Sequence, residues 1–387
     1  MPEVAPIIII FFIPYTASGF AACGKLFSSL FGMNYMTAMI ISAVVIVAYT
    51  TAGGFFAASA TDFVQSIIMT VAIVFVLVFS TISAGGVDAV VENAKALPGY
   101  LSLTASYIED TGKSEPYNLL HIITTLSWGL GYFGMPHILL RFMAIEDEKK
   151  LRLSRRVASV WVVIAMAMAV LIGIVGRALS NTGLVDQLHG NDTETIIVRV
   201  AHLLSTYGAF PAIMAGLILA GILASTMSTA DSQLLAAASS VSENILREAF
   251  HLKISEKKSM LAARLTVIGI AILGIIIARN PDSSVFGIVS FAWAGFGAAF
   301  GPLVICSLFW KRTTLPGAIA GMASGGAMVF IWKYLIKPIG GVFGIYELLP
   351  AFLVGLVLMV IVSLCTKAPS KEITDEFDRV KAMGKAK

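Results

Sequence analysis

The sequence predicts an all-α polytopic membrane protein with about ten transmembrane helices, and three observations carry that prediction. Of 387 residues, 57% are hydrophobic and 13% charged. A soluble domain carries about 25% charged residues, so a water-facing globule of this length would lack the charge to cover its surface. Long apolar blocks recur at Ile7–Phe12, Ala38–Ala48, Val64–Phe79, Val160–Ile174 and Ile213–Leu223, and a bilayer-crossing helix needs about 20 mostly apolar residues. Finally, with ten spans, 19 of the 27 Lys and Arg fall on one side of the membrane and 8 on the other. Basic loops stay cytoplasmic, so the tail and, with an even span count, the N-terminus are expected inside. This composition excludes nucleic-acid binding as the main role, a secreted disulfide scaffold and most soluble enzyme folds.

Taken in order, the spans are expected near 4–30, 36–57 and 63–84, each built on one of the first three apolar blocks. An external stretch, 85–117, follows with Asp88, Glu92, Glu109, Asp110 and Glu115. The fourth span, 118–143, is interrupted. The fifth runs over 157–178, and the loop 179–208 returns to the outer side with Asp186, Asp192 and Glu194. The sixth occupies 209–236 and is expected to continue as helix to about 246. The remaining four lie near 261–279, 285–309, 315–334 and 345–365. Cys23, Cys306 and Cys365 stand singly in or beside apolar spans, without metal-ligand spacing, and read as small core residues.

Three segments differ from lipid-facing helix. In Trp128-Gly-Leu-Gly-Tyr-Phe-Gly-Met-Pro-His137, three glycines and a proline weaken the helix at membrane depth. Broken backbone is tolerated there only where protein or a water-filled cavity satisfies it, and such interruptions point to a transporter binding site; a simple kink is the plainer reading. The Gly129-x-Gly131-x-x-Gly134 match to a dinucleotide fingerprint is accidental, because no strand leads into it. In Ala224-Ser-Thr-Met-Ser-Thr-Ala-Asp-Ser-Gln233, Ser225, Ser228, Thr229 and Ser232 share one helical face. Hydroxyls beside an acid, Asp231, suit a hard monovalent cation, although hydroxyls also serve helix packing. Asp231 at membrane depth is a functional hypothesis by default, unless the helix has already reached the cytoplasm there. The third segment, Tyr49 to Gln65, is a tight junction between two spans. Its Asp62 reads as a helix N-cap or, more sharply, as a residue near an inner ion-exit route.

Together with Tyr15-Thr-Ala-Ser-Gly19, Ser290-Phe-Ala-Trp-Ala-Gly-Phe-Gly-Ala-Ala-Phe-Gly-Pro302 and Lys311 through Gly321, these segments resemble the sodium:solute symporter family, in its proline-transporting branch. The resemblance runs from about Ile8 to Pro369. It implies a LeuT-like fold, in which two inverted five-helix repeats enclose substrate and sodium near the membrane midplane. It also implies that Tyr15, Trp128, Tyr132 and Pro136 form a site for L-proline. Ser228 and Thr229 match hydroxyl ligands of co-transported sodium, and Ser225 offers its backbone carbonyl. Asp62 and Asp231 are the candidates for an ion pathway.

On the same resemblance, residues 1–86 are the remnant of the first repeat and 118–310 the complete second repeat. Residues 315–366 form two peripheral helices, and 367–387 a cytoplasmic tail. Members of this branch have thirteen spans, and this chain begins where the fourth would start. It is therefore expected to be a fragment or mis-started gene product that transports little alone, the family activity belonging to the full-length parent. The expected partners are sodium, proline and the lipid bilayer of the cytoplasmic membrane; no obligate protein partner is inferred. A sodium symporter for another small organic solute, or a sensory or structural membrane module, is the alternative reading. The 21 residues after Thr366 are too short for a signalling kinase. Enzyme chemistry is not expected, because no paired carboxylates or nucleophile–base dyad occurs within the spans.

Overall fold

Helix boundaries follow local capping chemistry in the computed structural model, which describes residues 4–109, 111–252 and 254–385, the side chains at 54–57, 384 and 385 excepted. Residues 54–57 of the Tyr49–Gln65 segment and the charges counted at Asp110, Lys253, Lys385 and Lys387 lie outside the described residues or side chains. Helix α1 (Ala5–Phe31) ends where Gly32 turns left-handed and donates to the Ser28 carbonyl. The Asn34 side chain caps α2 (Tyr35–Ser83) by accepting from the Thr37 N–H. Although α2 is 49 residues long, the Tyr49 hydroxyl is hydrogen-bonded to Thr61, twelve residues on. Twelve residues of straight helix rise about 18 Å, beyond the reach of those side chains, so the limbs Tyr35–Gly53 and Ala58–Ser83 fold back as two spans.

Outside the spans follow α3 (Val87–Ala96) and an antiparallel hairpin of β1 (Ala105–Ile108) and β2 (Lys113–Pro116), which pairs Ala105 with Pro116. The fourth span is divided into α4 (Leu119–Ser127), a 3-10 segment Trp128–Gly134 and α5 (Pro136–Met143). Helix α6 (Leu151–Asn181) buries only its last turns, around Ile172, Val175 and Leu179. The second long loop contains α7 (Ile196–Ser205). Helix α8 (Ala209–Ser239) runs on as a π-helical stretch, Ser240–Ala249. Then come α9 (Glu256–Ile277), α10 (Val285–Phe309), α11 (Leu315–Ile331), α12 (Leu348–Cys365) and a tail helix, α13 (Lys371–Lys385). Among the described residues nine helical stretches are long and apolar enough to cross a membrane; the divided fourth span, in three short pieces, is not one of them.

The main core is aromatic: Phe11, Phe12 and Phe20 of α1 and Phe296 of α10 are fully buried. A second cluster joins Ala72 and Val76 of α2 to Leu179, Val200 and Ile218. Cys23 and Cys306 are buried and Cys365 is exposed, all three as free thiols. Contacts between segments keep to one side. Tyr35 bonds the Ala278 carbonyl, Arg177 pairs with Glu109, and Asn191 bonds the Asp282 carbonyl at one end of the bundle. Arg141 pairs with Asp62, Ser259 bonds Glu243, and Arg312 bonds the Thr366 carbonyl at the other. These are the two sides that the span count separates.

Candidate functional site

The break in the fourth span has a local cause. Pro136 lacks an N–H and disfavours helical backbone at the residue before it. Met135 is accordingly extended, with φ −82° and ψ 105°, and Pro136 opens α5. The freed Trp128 carbonyl accepts a hydrogen bond from Trp293 Nε1 at 3.0 Å. Gly131 and Gly134 let this segment press against α10: an added Cβ would stand 1.9 Å from Trp293 Nε1 at Gly131 and 2.3 Å from the Phe296 carbonyl oxygen at Gly134. Protein, and not lipid, therefore satisfies the Trp128 carbonyl.

Aromatic rings surround the break. Trp128 stacks within 16° of parallel on Phe286 (5.2 Å), Trp293 (5.3 Å) and Tyr346 (5.9 Å). Tyr132 meets Trp293 edge-on at 4.8 Å and keeps 48% of its surface exposed. Tyr15, on α1, is edge-on to the His137 ring at 5.9 Å, next to Pro136. The structure thus brings Tyr15, Trp128, Tyr132 and Pro136 around one interruption. Trp293, Phe296, His137 and Tyr346 join them; the first two stand in the 290–302 motif but were not assigned to the site from sequence.

On α8 the Ser228 and Thr229 hydroxyls both donate to the Ser225 carbonyl, each at 3.1 Å. Three oxygens therefore converge within one turn, with hydroxyl lone pairs still free to accept a hard cation. Asp231 has no exposed surface. One carboxylate oxygen accepts from Ser232 at 3.3 Å; the other is buried without a hydrogen-bond partner among the described residues, with the Tyr49 hydroxyl beside the carboxylate.

Asp62 is not an N-cap. It lies inside α2, and Oδ2 accepts from Arg141; its local sequence resembles a cap, but the helix continues through it. The same Arg141 nitrogen donates to Ser232 at 2.7 Å. Arg141 was not singled out from sequence, since one arginine at the end of a span looks like an ordinary basic flank. Beyond it opens a cavity of about 530 Å³ bordered by His137, Arg141, Ser232, Ser239 and Glu243. At the opposite end, Glu194 accepts from Lys25 (2.9 Å), from Ser284 (2.8 Å) and from the N–H groups of Val285 and Phe286 at the start of α10. Burial raises its pKa, but Lys25 and the N–H donors outweigh burial and hold the carboxyl below its ordinary range. An anion at a helix N-terminus is favoured by the free N–H groups and the helix dipole.

The model of the sodium:solute symporter family matches residues 4–325. Sodium/proline symporter 2 of Staphylococcus saprophyticus is 39% identical over 385 residues, 98% of this chain and 72% of that protein. The high-affinity proline transporter PutP of Bacillus subtilis is 39% identical over 373 residues, 96% of this chain and 74% of the relative. The osmoregulated proline transporter OpuE of the same organism is 39% identical over 367 residues, 95% and 71%. A solved structure of a Na+-coupled sialic acid symporter, in a substrate-bound outward-open state, superposes with a TM-score of 0.74 at 17% identity, covering 95% of this chain and 75% of that one. That likeness establishes the fold, which is LeuT-like.

Proposed function

The chain belongs to the sodium:solute symporter family, and from that premise we propose that it serves sodium-coupled symport of L-proline across the cytoplasmic membrane by alternating access. The observation that carries this reading is the broken fourth span, with Trp128 and Tyr132 beside freed backbone. Rings there pack the apolar pyrrolidine, while backbone groups meet the charged ends of the zwitterion. Tyr15 and the N-terminal turn of α5 at Pro136 complete the pocket.

Sodium is bound by the Ser225 carbonyl and by the hydroxyls of Ser228 and Thr229. Asp231 and Asp62 line its way inward, and Arg141 closes that way toward the basic side, which is cytoplasmic. Residues 118–310 act as one inverted repeat, 1–86 contribute to the other, and 315–366 pack outside them. One charge moving through about 100 mV releases about 2.3 kcal/mol, enough for about fifty-fold accumulation of a neutral zwitterion at about 1.4 kcal/mol per tenfold. No bond in the solute is made or broken.

The test replaces the aligned region of the Staphylococcus saprophyticus relative with this chain and reconstitutes the hybrid in liposomes. An inward sodium gradient should drive proline uptake, and a potassium gradient should not. Sodium-driven uptake of a different solute would reassign the substrate and keep the coupling. Proline uptake indifferent to sodium would refute the reading.

A further inference from the structure

We propose that α13 is an interfacial helix whose apolar edge, Ile373, Phe377 and Val380, is seated in the bilayer leaflet on the side of the basic loops. The spacing of those residues, four and three apart, places them within about 60° of one another around the helix. Asp375, Asp378 and Arg379 fall on the opposite side. Ile373 and Val380 are 59% and 52% exposed, Phe377 between them is half-buried, and Met383 borders the same edge at 47%. An isolated polar helix would have no use for such an edge, because exposed apolar surface costs free energy in water.

Two attachments fix where the helix lies. Five residues link it to the end of α12 at Cys365, and that link is itself held by Arg312, which bonds the Thr366 carbonyl at 2.7 Å. Seven residues into the helix, about 10 Å along its axis, Asp378 is ion-paired with Lys311. Lys311 stands two residues past the end of α10 at Phe309. Both the start and the middle of α13 are thus pinned beside the ends of membrane spans. A helix held at two such points runs along the membrane surface and cannot project into the aqueous phase.

The occupant of the apolar edge is the hydrocarbon boundary and not the charged headgroups. Residues 371–385 carry four acidic and four basic side chains, so the helix has no net charge with which to seek anionic lipid. Amphipathic helices of this kind bury their apolar face at the boundary between headgroups and acyl chains.

The experiment uses the full chain, with Cys365→Ser, reconstituted in phosphatidylcholine nanodiscs. Single cysteines at 373, 377, 380, 375 and 379 carry a nitroxide. Collision with oxygen relative to a water-soluble nickel chelate should be several-fold higher at 373, 377 and 380 than at 375 and 379, and adding phosphatidylglycerol should leave the pattern unchanged. Equal, nickel-favoured collision at all five positions would overturn the proposal by placing the helix in water. Exclusion of both reagents from 373, 377 and 380 would overturn it by showing a protein partner or second copy on that edge. A pattern that appears only with phosphatidylglycerol would overturn the apolar-boundary account. Lys311→Gln supplies a second reading: loss of the ion pair should lower the oxygen preference at 380 more than at 373, because 373 stays tethered by the link.

Discussion

Arg141 and Asp62 meet across the gap between the broken fourth span and the second limb of α2, and the same guanidinium reaches Ser232 of α8 at 2.7 Å. Three elements are closed on one another one helical turn beyond the Ser228 and Thr229 hydroxyls. Hydrogen bonds to charged groups contribute about 1.5–3 kcal/mol, so their loss should shift an opening equilibrium by about tenfold or more. Arg141→Gln and Asp62→Asn are therefore expected to raise the rate at which a thiol reagent applied from the basic side labels a cysteine at 228, one turn behind that closure. Unchanged labelling in both variants would mean that the ion pair does not close this route.

The oxygen cluster on α8 predicts a linked effect. Ser228→Ala or Thr229→Ala removes one oxygen from a site where no apolar replacement compensates. In the hybrid transporter, half-maximal proline uptake should need about tenfold more sodium. Saturating sodium should restore the affinity for proline, because the two ligands are coupled. A loss of proline affinity that sodium does not rescue would place these hydroxyls outside the ion site.

The two glycines of Trp128-Gly-Leu-Gly131 should behave oppositely. A Cβ at Gly131 would lie 1.9 Å from Trp293 Nε1, whereas at Gly129 nothing lies within 4 Å. Overpacking of a filled site costs about 1–3 kcal/mol or more. Gly131→Ala should lower the thermal unfolding temperature and abolish uptake, and Gly129→Ala should preserve both. Equal tolerance of the two substitutions would contradict the close approach of this segment to α10.

A fourth expectation concerns pH at the hairpin of β1 and β2. Glu109 accepts from Arg177 at 2.7 Å, and His189 Nδ1 stands 3.5 Å from its other oxygen. The Arg177 hydrogen bond, more than any other influence, holds the Glu109 carboxyl below its ordinary range. For a carboxyl lowered in this way, the stabilisation is present above the ordinary value and is lost as pH falls through the lowered one. Protection of the paired residues 105–108 and 113–116 from hydrogen exchange should therefore persist at pH 5 and fail only below about 4.3. Glu109→Gln should remove the protection throughout. Loss of protection already at pH 5 in the unsubstituted chain would mean that the Arg177–Glu109 contact does not hold the hairpin.

The parts of the fold and site that were legible in the sequence are those set by neighbours in the chain. The break at Trp128–Pro136 follows from glycine and proline chemistry, and the convergence of Ser225, Ser228 and Thr229 follows from helical spacing. Asp62 was misread because Thr61-Asp62 before an apolar run has the local form of a cap, while its partner Arg141 is 79 residues away. Trp293 and Tyr346 reach Trp128 only through tertiary packing, which no spacing rule encodes. The hairpin, α7 and α13 were passed over for another reason. A search for apolar length treats every polar stretch as connection, although α13 carries a readable period of its own in Ile373, Phe377 and Val380.

Glu194 gathers Lys25 of α1, the Ser284 hydroxyl and two backbone N–H groups of α10 on a single carboxylate. Donors that share one acceptor are not released one at a time, since a shift that misaligns the carboxylate weakens all four contacts together. The loop holding Glu194 and the start of α10 consequently form an all-or-none joint with a threshold, in place of a spring that yields in proportion to load. Motion at that end of the bundle should then occur as rare, complete jumps between two positions, and a single-molecule trace of the loop should dwell in discrete levels with nothing lasting between them.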